Sequence, residues 1–287
     1  MPEIHGTTQL LGIIGHPVEH SLSPVMQNAA LMHLGIDAIF LPFPVEPEHL
    51  PTALAGMAAI GVRGFNATIP HKQAVMPLLK TITPVAQQIG AVNTVWWDDG
   101  GWYGTNTDAA GFIAPLQELA RDWSDVIPVV LGNGGAARAV VAGCVELGCP
   151  KVVVVGRNEE KLAAFEQSWT APAIQQRLKV QTWDQLDNWL SRTQLLINTT
   201  PVGMAPNSDR SPIDAVQLAQ LPGGAIAYDL IYTPRPTQFL IQAQATGATI
   251  IDGTEMLVQQ GAAALERWVG QPAPVAVMRS ALLKALE

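Results

Sequence analysis

Cysteine is nearly missing from this chain of 287 residues, which has only Cys144 and Cys149. Two thiols cannot build a disulfide framework or a four-thiolate zinc site. Both fall in or just after an apolar helix, where small core residues are expected. Charge is also sparse, at 14% of residues, and acids outnumber bases 24 to 16. No basic stripe runs along the chain, so a nucleic-acid partner is not expected, although a local site for a small anion is compatible with the net charge. Long apolar runs are missing too. No stretch reaches membrane-spanning length, and Met1-Pro2-Glu3-Ile4-His5 shows neither a basic start nor a long apolar segment. The expectation is a cytoplasmic protein with no membrane contact. No metal is expected either. His16 and His20 stand four apart, but Pro17 prevents a regular helix between them.

Nearly half of the residues are apolar, which is the composition of a globular enzyme long enough for two domains. The clearest signal is Val129-Val130-Leu131-Gly132-Asn133-Gly134-Gly135-Ala136-Ala137-Arg138. A valine-rich strand meets a glycine turn, and a helix of small residues follows. Gly132 permits the tight turn, Gly134 lets backbone approach a pyrophosphate, and Ala137 lets the helix lie close to the strand. The free N–H groups at the helix start suit an anion. The helix is expected from Ala136 to Leu147, ending at Gly148, and Val152–Val155 reads as the next buried parallel strand. The tip of that strand is Gly156-Arg157-Asn158-Glu159-Glu160-Lys161. An acid there would hold the ribose hydroxyls of NAD. Arg157, with Lys161 a turn later, favours the 2′-phosphate of NADP instead.

Taken in order, Leu10–Gly15 reads as a strand running into a proline loop, with a helix from Pro24 to Leu34. Ala38–Phe43 is a strand, Pro47–Ile60 a helix and Gly64–Pro70 a strand; Pro70 then opens a helix at His71-Lys72-Gln73. Ala91–Trp97 and Gly101–Gly104 flank Asp98-Asp99-Gly100, a hairpin signal. A helix begins near Asp108. Five later strands are expected, at Val129–Leu131, Val152–Val155, Leu195–Asn198, Ala225–Leu230 and Thr249–Ile251, with Trp183 and Trp189 packing between two of them. The final helix, Glu255–Trp268, is expected to return to the first domain. The fold class is α/β, with two α/β domains. Residues 1–108 form a substrate domain, 109–252 a Rossmann-type dinucleotide-binding domain, and 253–287 the returning C-terminal helices. The crevice between two such domains is the default ligand site.

A nicotinamide enzyme needs a substrate clamp and a proton donor beside the hydride path. Lys72 and Asp108, each at a helix start, are candidates for an acid–base pair, although Thr107 or Asp108 could equally be a helix N-cap. Ser21 and Ser23 could hold a carboxylate, or simply shape a turn beside Pro24. Asn93, expected inside an apolar strand, must find buried partners.

Several motifs together resemble shikimate dehydrogenase over nearly the whole length. They are Ser21-Leu22-Ser23-Pro24, Asn66-Ala67-Thr68-Ile69-Pro70-His71-Lys72, Gly90-Ala91-Val92-Asn93-Thr94, Gly104-Thr105-Asn106-Thr107-Asp108, Gly132-Asn133-Gly134-Gly135-Ala136, Asn198-Thr199-Thr200-Pro201-Val202-Gly203-Met204, Tyr228-Asp229-Leu230-Ile231-Tyr232 and Asp252–Gln260. Their number and order carry the resemblance. It implies NADPH-dependent reduction of 3-dehydroshikimate to shikimate, a step toward aromatic amino acids. It also implies that Ser21 and Ser23 hold the substrate carboxylate, and that Thr68, Lys72, Asn93, Asp108, Tyr232 and Gln260 surround the ring. Lys72 is the implied acid–base residue, paired with Asp108. Gly132, Asn133, Gly134, Gly135 and Ala136 would take the pyrophosphate, with Gly156, Arg157, Asn158 and Lys161 at the 2′-phosphate. Leu230 and Gly253 would lie near the nicotinamide. The family's usual strand tip reads Asn-Arg-Thr and then an arginine; here Arg157 is kept and its neighbours differ. Two alternatives stand beside this reading: a quinate/shikimate dehydrogenase with relaxed cofactor use, and a non-catalytic dinucleotide or shikimate sensor. Monomer and homodimer both remain open.

Overall fold

The computed structural model describes residues 3–287. The chain divides into two compact units. One runs through Gly111 and resumes at Leu257–Glu287; the other is Phe112–Met256. The divisions fall inside two helices, Asp108–Gln117 and Thr254–Val269.

The first unit holds a mixed six-stranded sheet. Its strands are β1 (Gln9–Gly15), β2 (Ala38–Pro44), β3 (Val62–Ala67), β4 (Thr81–Ile82), β5 (Thr94–Asp98) and β6 (Gly101–Thr105), in the order β2-β1-β3-β5-β6-β4. β1, β2 and β3 are parallel, whereas β5 runs antiparallel to both β3 and β6. This arrangement places the site. The parallel strands β1 and β3 end at the same edge where antiparallel β5 begins and β6 ends, so the loops after Gly15, Ala67 and Thr105 and the residues before Thr94 share one rim. The hairpin between β5 and β6 turns on Asp99 and Gly100, both at positive φ, the backbone that a two-residue turn of this hand requires.

The expected strand Gly64–Pro70 starts two residues earlier and stops at Ala67. Thr68 and Ile69 leave it because Pro70 cannot donate to a ladder. The expected helix from Pro47 begins as a single 3₁₀ turn, Pro47–His49, and becomes α-helical over Leu50–Ala59. The two-residue β4 carried no periodic signal. The chain end packs on β1 and the helix Ser23–His33. Val258, Ala262, Leu265, Met278 and Leu282 share a buried cluster with Leu11, Ile13, Met26 and Leu31, while Gln27 Nε2 donates to the Gly261 carbonyl at 2.9 Å and Trp268 Nε1 to the Val95 carbonyl at 2.9 Å.

The second unit is an all-parallel six-stranded sheet. Its strands are β7 (Val129–Leu131), β8 (Val152–Gly156), β9 (Leu178–Thr182), β10 (Leu195–Asn198), β11 (Ile226–Asp229) and β12 (Thr249–Ile251), in the order β12-β11-β10-β7-β8-β9. This is the doubly wound dinucleotide-binding order, with the direction reversal beside β7. β9 is a sixth strand that the sequence did not suggest. Its Leu178 and Val180 alternate with Lys179 and Gln181 at a sheet edge, a pattern too short and too polar to stand out. The central strands are buried on both faces, which explains their unbroken valines. Trp183 and Trp189 pack against the core, and Cys144 and Cys149 are buried free thiols. Among the described residues no helix is long and apolar enough to cross a membrane.

Candidate active site

Lys72 lies on a single helical turn, His71–Ala74, reached from β3 through Thr68-Ile69-Pro70. So short a turn cannot hold itself; it is tied at both sides. His71, fully buried, binds the Val45 carbonyl through Nε2 at 2.7 Å, and the Lys72 carbonyl accepts from Val92 N at 2.7 Å. The Lys72 ammonium donates to Asp108 Oδ2 at 2.6 Å, with side chains 17% and 6% exposed. A pair this dry is costly to break from one side, because the remaining charge stays buried, about 3–5 kcal/mol.

Asp108 is free for this contact because another residue caps its helix. Asn106 Oδ1 accepts from Asp108 N at 2.9 Å and Ala109 N at 3.4 Å. The capping role considered for Thr107 or Asp108 therefore belongs to Asn106. Asn93 stands just before β5 rather than inside an apolar strand, but it is buried as expected. The two hydrogens of its Nδ2 go to Asp108 Oδ1 at 2.9 Å and Thr107 Oγ1 at 2.9 Å, one of them shared with Gln260 Oε1 at the longer 3.3 Å. Its Oδ1 accepts from Thr107 N at 2.8 Å. Thr107 Oγ1 donates to the Gln260 carbonyl at 3.0 Å. The structure thus joins Lys72, Asp108, Asn93 and Gln260 in one hydrogen-bonded cluster, although Gln260 comes far later in the chain than the other three.

Ser21 and Thr68 sit on loops at the same rim, following β1 and β3, and Ser23 opens the helix Ser23–His33. Ser23 N donates to Ser21 Oγ at 3.3 Å, leaving both hydroxyl protons uncommitted by that bond. The sequence reading missed Asn66. Its Nδ2 donates to the Asn93 carbonyl at 2.9 Å, while its buried Oδ1 has no partner. The signal was a lone amide in the apolar run Gly64–Ala67.

Tyr232, Leu230 and Gly253 belong to the second unit. Leu230 and Tyr232 follow β11. A Cβ on Gly253 would lie 2.1 Å from the Leu230 carbonyl oxygen, so only glycine lets these two backbones meet. Below them is a second polar cluster that the sequence reading did not single out. Buried Asp229 accepts from Asn198 Nδ2 at 3.0 Å, Ile231 N at 3.1 Å and Thr237 Oγ1 at 2.7 Å. Burial pushes its carboxyl up to about 6, against the pull of these donors, the Thr237 hydroxyl first. Arg235 and Asp252 form an ion pair across the same loop.

The glycine turn after β7 fits a dinucleotide. Gly132 has φ +102°, and a Cβ there would meet Thr199 Oγ1 at 2.9 Å. Gly134, at the N-cap of the helix Gly135–Glu146, has open space where a Cβ would stand, and no side chain caps that helix. Ala137 is fully buried, as close helix–strand packing requires. Arg157 and Lys161 are exposed beyond β8. Asn158 caps the helix Glu159–Gln167, accepting from Lys161 N at 2.8 Å, so only its amide hydrogens remain for a phosphate. These residues fit a pyrophosphate at the turn and a further phosphate at the strand tip.

The rim cluster and the glycine turn define a nicotinamide-dependent oxidoreductase class, and relatives narrow it. Family models described as the shikimate dehydrogenase substrate binding domain and the shikimate 5'-dehydrogenase C-terminal domain match residues 13–95 and 253–283. A curated shikimate dehydrogenase (NADP(+)) of Crocosphaera subtropica is 58% identical over 286 residues, spanning 100% of this chain and 99% of its own. A shikimate dehydrogenase solved in complex with NADP+ superposes with TM-score 0.89 at 36% identity, over 99% of this chain and 98% of that one. The enzyme of Thermus thermophilus, solved with NADP(H) and shikimate, gives 0.85 at 34% identity, over 97% and 100%. The chain belongs to the shikimate dehydrogenase family.

Proposed function

We propose that the chain catalyses the reversible NADP-dependent reduction of 3-dehydroshikimate to shikimate, in the route to aromatic amino acids. The observation that carries the reading is the Lys72–Asp108–Asn93–Gln260 cluster at one rim of the first unit. It offers a cation and a carboxylate in contact, flanked by amides suited to ring hydroxyls. A protein that only bound its ligand would not need the ion pair.

In this reading Ser21 and Ser23 take the substrate carboxylate, and Thr68, Asn93, Tyr232 and Gln260 surround the ring. Gly132 to Ala136 and Gly156, Arg157, Asn158 and Lys161 would hold NADPH, with Leu230 and Gly253 toward the nicotinamide, and the bound coenzyme would supply the hydride for the ring ketone carbon. As negative charge develops on the ketone oxygen, the Lys72 ammonium donates a proton to it. Asp108 holds Lys72 by its Oδ2 and is itself held by Asn93 through Oδ1. In the reverse direction Lys72 takes the hydroxyl proton. A positive group placed beside a forming oxyanion stabilises the transition state more than the ground state, so it acts on kcat. The buried, unlinked thiols suit a reducing cytoplasm.

The test follows absorbance of reduced nicotinamide with shikimate and NADP+, then NAD+, then quinate. Fast turnover with shikimate and NADP+ is expected. Comparable rates with quinate or NAD+ would replace the assignment with a broader quinate/shikimate dehydrogenase. Binding without turnover would replace it with a sensor.

A further inference from the structure

One fully buried hydroxyl in the rim cluster, that of Thr94, is placed to act on the reaction without being placed to touch a ligand. The orientation of the Asn93 amide is settled by its neighbours. Thr107 N is a donor only, so the atom 2.8 Å from it must be the oxygen, Oδ1. A flipped amide would set N–H against N–H there and oxygen against the Asp108 carboxylate. Oδ1 has a second lone pair. Thr107 Oγ1 accepts from Asn93 Nδ2 at 2.9 Å, and its single proton goes to the nearer of two acceptors, the Gln260 carbonyl at 3.0 Å against Oδ1 at 3.2 Å. The remaining donor is Thr94 Oγ1, 3.0 Å from Oδ1 and 3.2 Å from Thr107 Oγ1, so its proton goes to the nearer Oδ1, while it accepts from Asn66 Nδ2 at 3.2 Å. A one-way chain results: Asn66 to Thr94, Thr94 to Asn93, and Asn93 to Asp108, whose other oxygen holds Lys72.

We propose that Thr94 is a positioning residue for the acid–base pair, its hydroxyl pinning Asn93 Oδ1 so that the Asn93 amide stays on Asp108 Oδ1 and leaves Oδ2 to Lys72. The kinetic consequence rests on the function proposed above; the structural claim does not.

Two measurements on the full chain separate the claims: the ¹⁵N side-chain amide signal of Asn93, identified by its loss in Asn93→Ala, and steady-state kinetics with shikimate and NADP+. Thr94→Val keeps the shape and removes the hydroxyl; Thr94→Ser keeps the hydroxyl. In Thr94→Val the Asn93 signal is expected to shift and to exchange faster with solvent, and kcat to fall about tenfold, as small misplacements of reacting groups do, with KM for NADP+ unchanged. Thr94→Ser is expected to restore both. Should the valine variant not fold, Thr94→Ala takes its place. A lowered melting temperature with an unchanged Asn93 signal and kcat would overturn the proposal, since that is a packing role alone. Failure of serine to restore the signal would overturn it too. Absence of turnover in the unmodified protein would overturn the proposed function instead, and the amide signal would then decide the Thr94 assignment by itself.

Discussion

The two units prepare for their ligands in opposite ways. At the rim of the first, polar side chains satisfy one another: Lys72 on Asp108, Asp108 on Asn93, Asn93 on Thr107 and Gln260. At the glycine turn of the second, the side chains are withdrawn. What is organised is backbone, a left-handed Gly132, open space at Gly134 and a helix start that no side chain caps. The difference follows from the chemistry each place must do. Moving a proton needs a side chain held at a fixed point. Holding a pyrophosphate needs several N–H groups and room, which side chains would fill.

If that contrast is right, damage to the rim falls on kcat and damage to the turn falls on coenzyme affinity. The largest effect is expected from Lys72→Ala: kcat lower by about 10²-fold or more, with a modest KM change, in steady-state assays. A near-normal kcat would remove Lys72 from proton transfer and dissolve the contrast. Next comes Gly134→Val. Nothing in the protein meets a Cβ there and φ is −85°, so the melting temperature should hold while the coenzyme Kd, followed by nicotinamide fluorescence, rises about 10–100-fold. Gly132→Ala sharpens the point, because positive φ and Thr199 should make that variant lose stability as well. Arg157→Ala should weaken NADP+ binding by about tenfold, the value of one charge-assisted contact, and leave NAD+ nearly unchanged. Equal losses for both would refute the 2′-phosphate assignment.

An effect on stability and not on the reaction concerns Asp229, beneath the second unit's loops. Burial raises its folded value to about 6 from 3.8, a difference of about 3 kcal/mol at the standard conversion. The native state then binds the proton more tightly than the unfolded chain. The carboxyl therefore costs nothing below the unfolded value, and stability is lost as pH rises through about 4 to 6. Compared with Asp229→Asn by thermal melting, the unmodified protein should gain relative stability as pH falls from about 7 to 5. A flat difference would mean that Asp229 does not titrate there.

The doubly wound half was legible because its signals are local: a valine strand, a glycine turn, and a helix of small residues. Lys72 and Asp108 were legible as residues because each was a polar group at a helix start, and Asn93 because it was an amide in an apolar run expected to be a strand. Their arrangement was not. That Asn106 rather than Asp108 caps the helix, and that Thr94 and Thr107 fix the Asn93 amide, depends on β5 running antiparallel between β3 and β6, which no periodicity reveals. Asn66 and Asp229 were quoted in motifs but given no role, because the partners that bury them, the Asn93 carbonyl and the Asn198 and Thr237 side chains, lie apart from them in sequence. The edge strand β9 was hidden by its lysine and glutamine.

The first unit is written in two pieces, and its core holds both: Leu11 and Met26 share a cluster with Met278 and Leu282. On the ribosome, strands β1 to β6 emerge first but cannot close that core until the last residues arrive. The second unit is continuous and has everything it needs earlier. Synthesis therefore delivers the coenzyme fold before the catalytic one. Gln260 completes the rim cluster only with the final helices. The order of synthesis thus sets the continuous unit ahead of the rim cluster, which waits for the final helices.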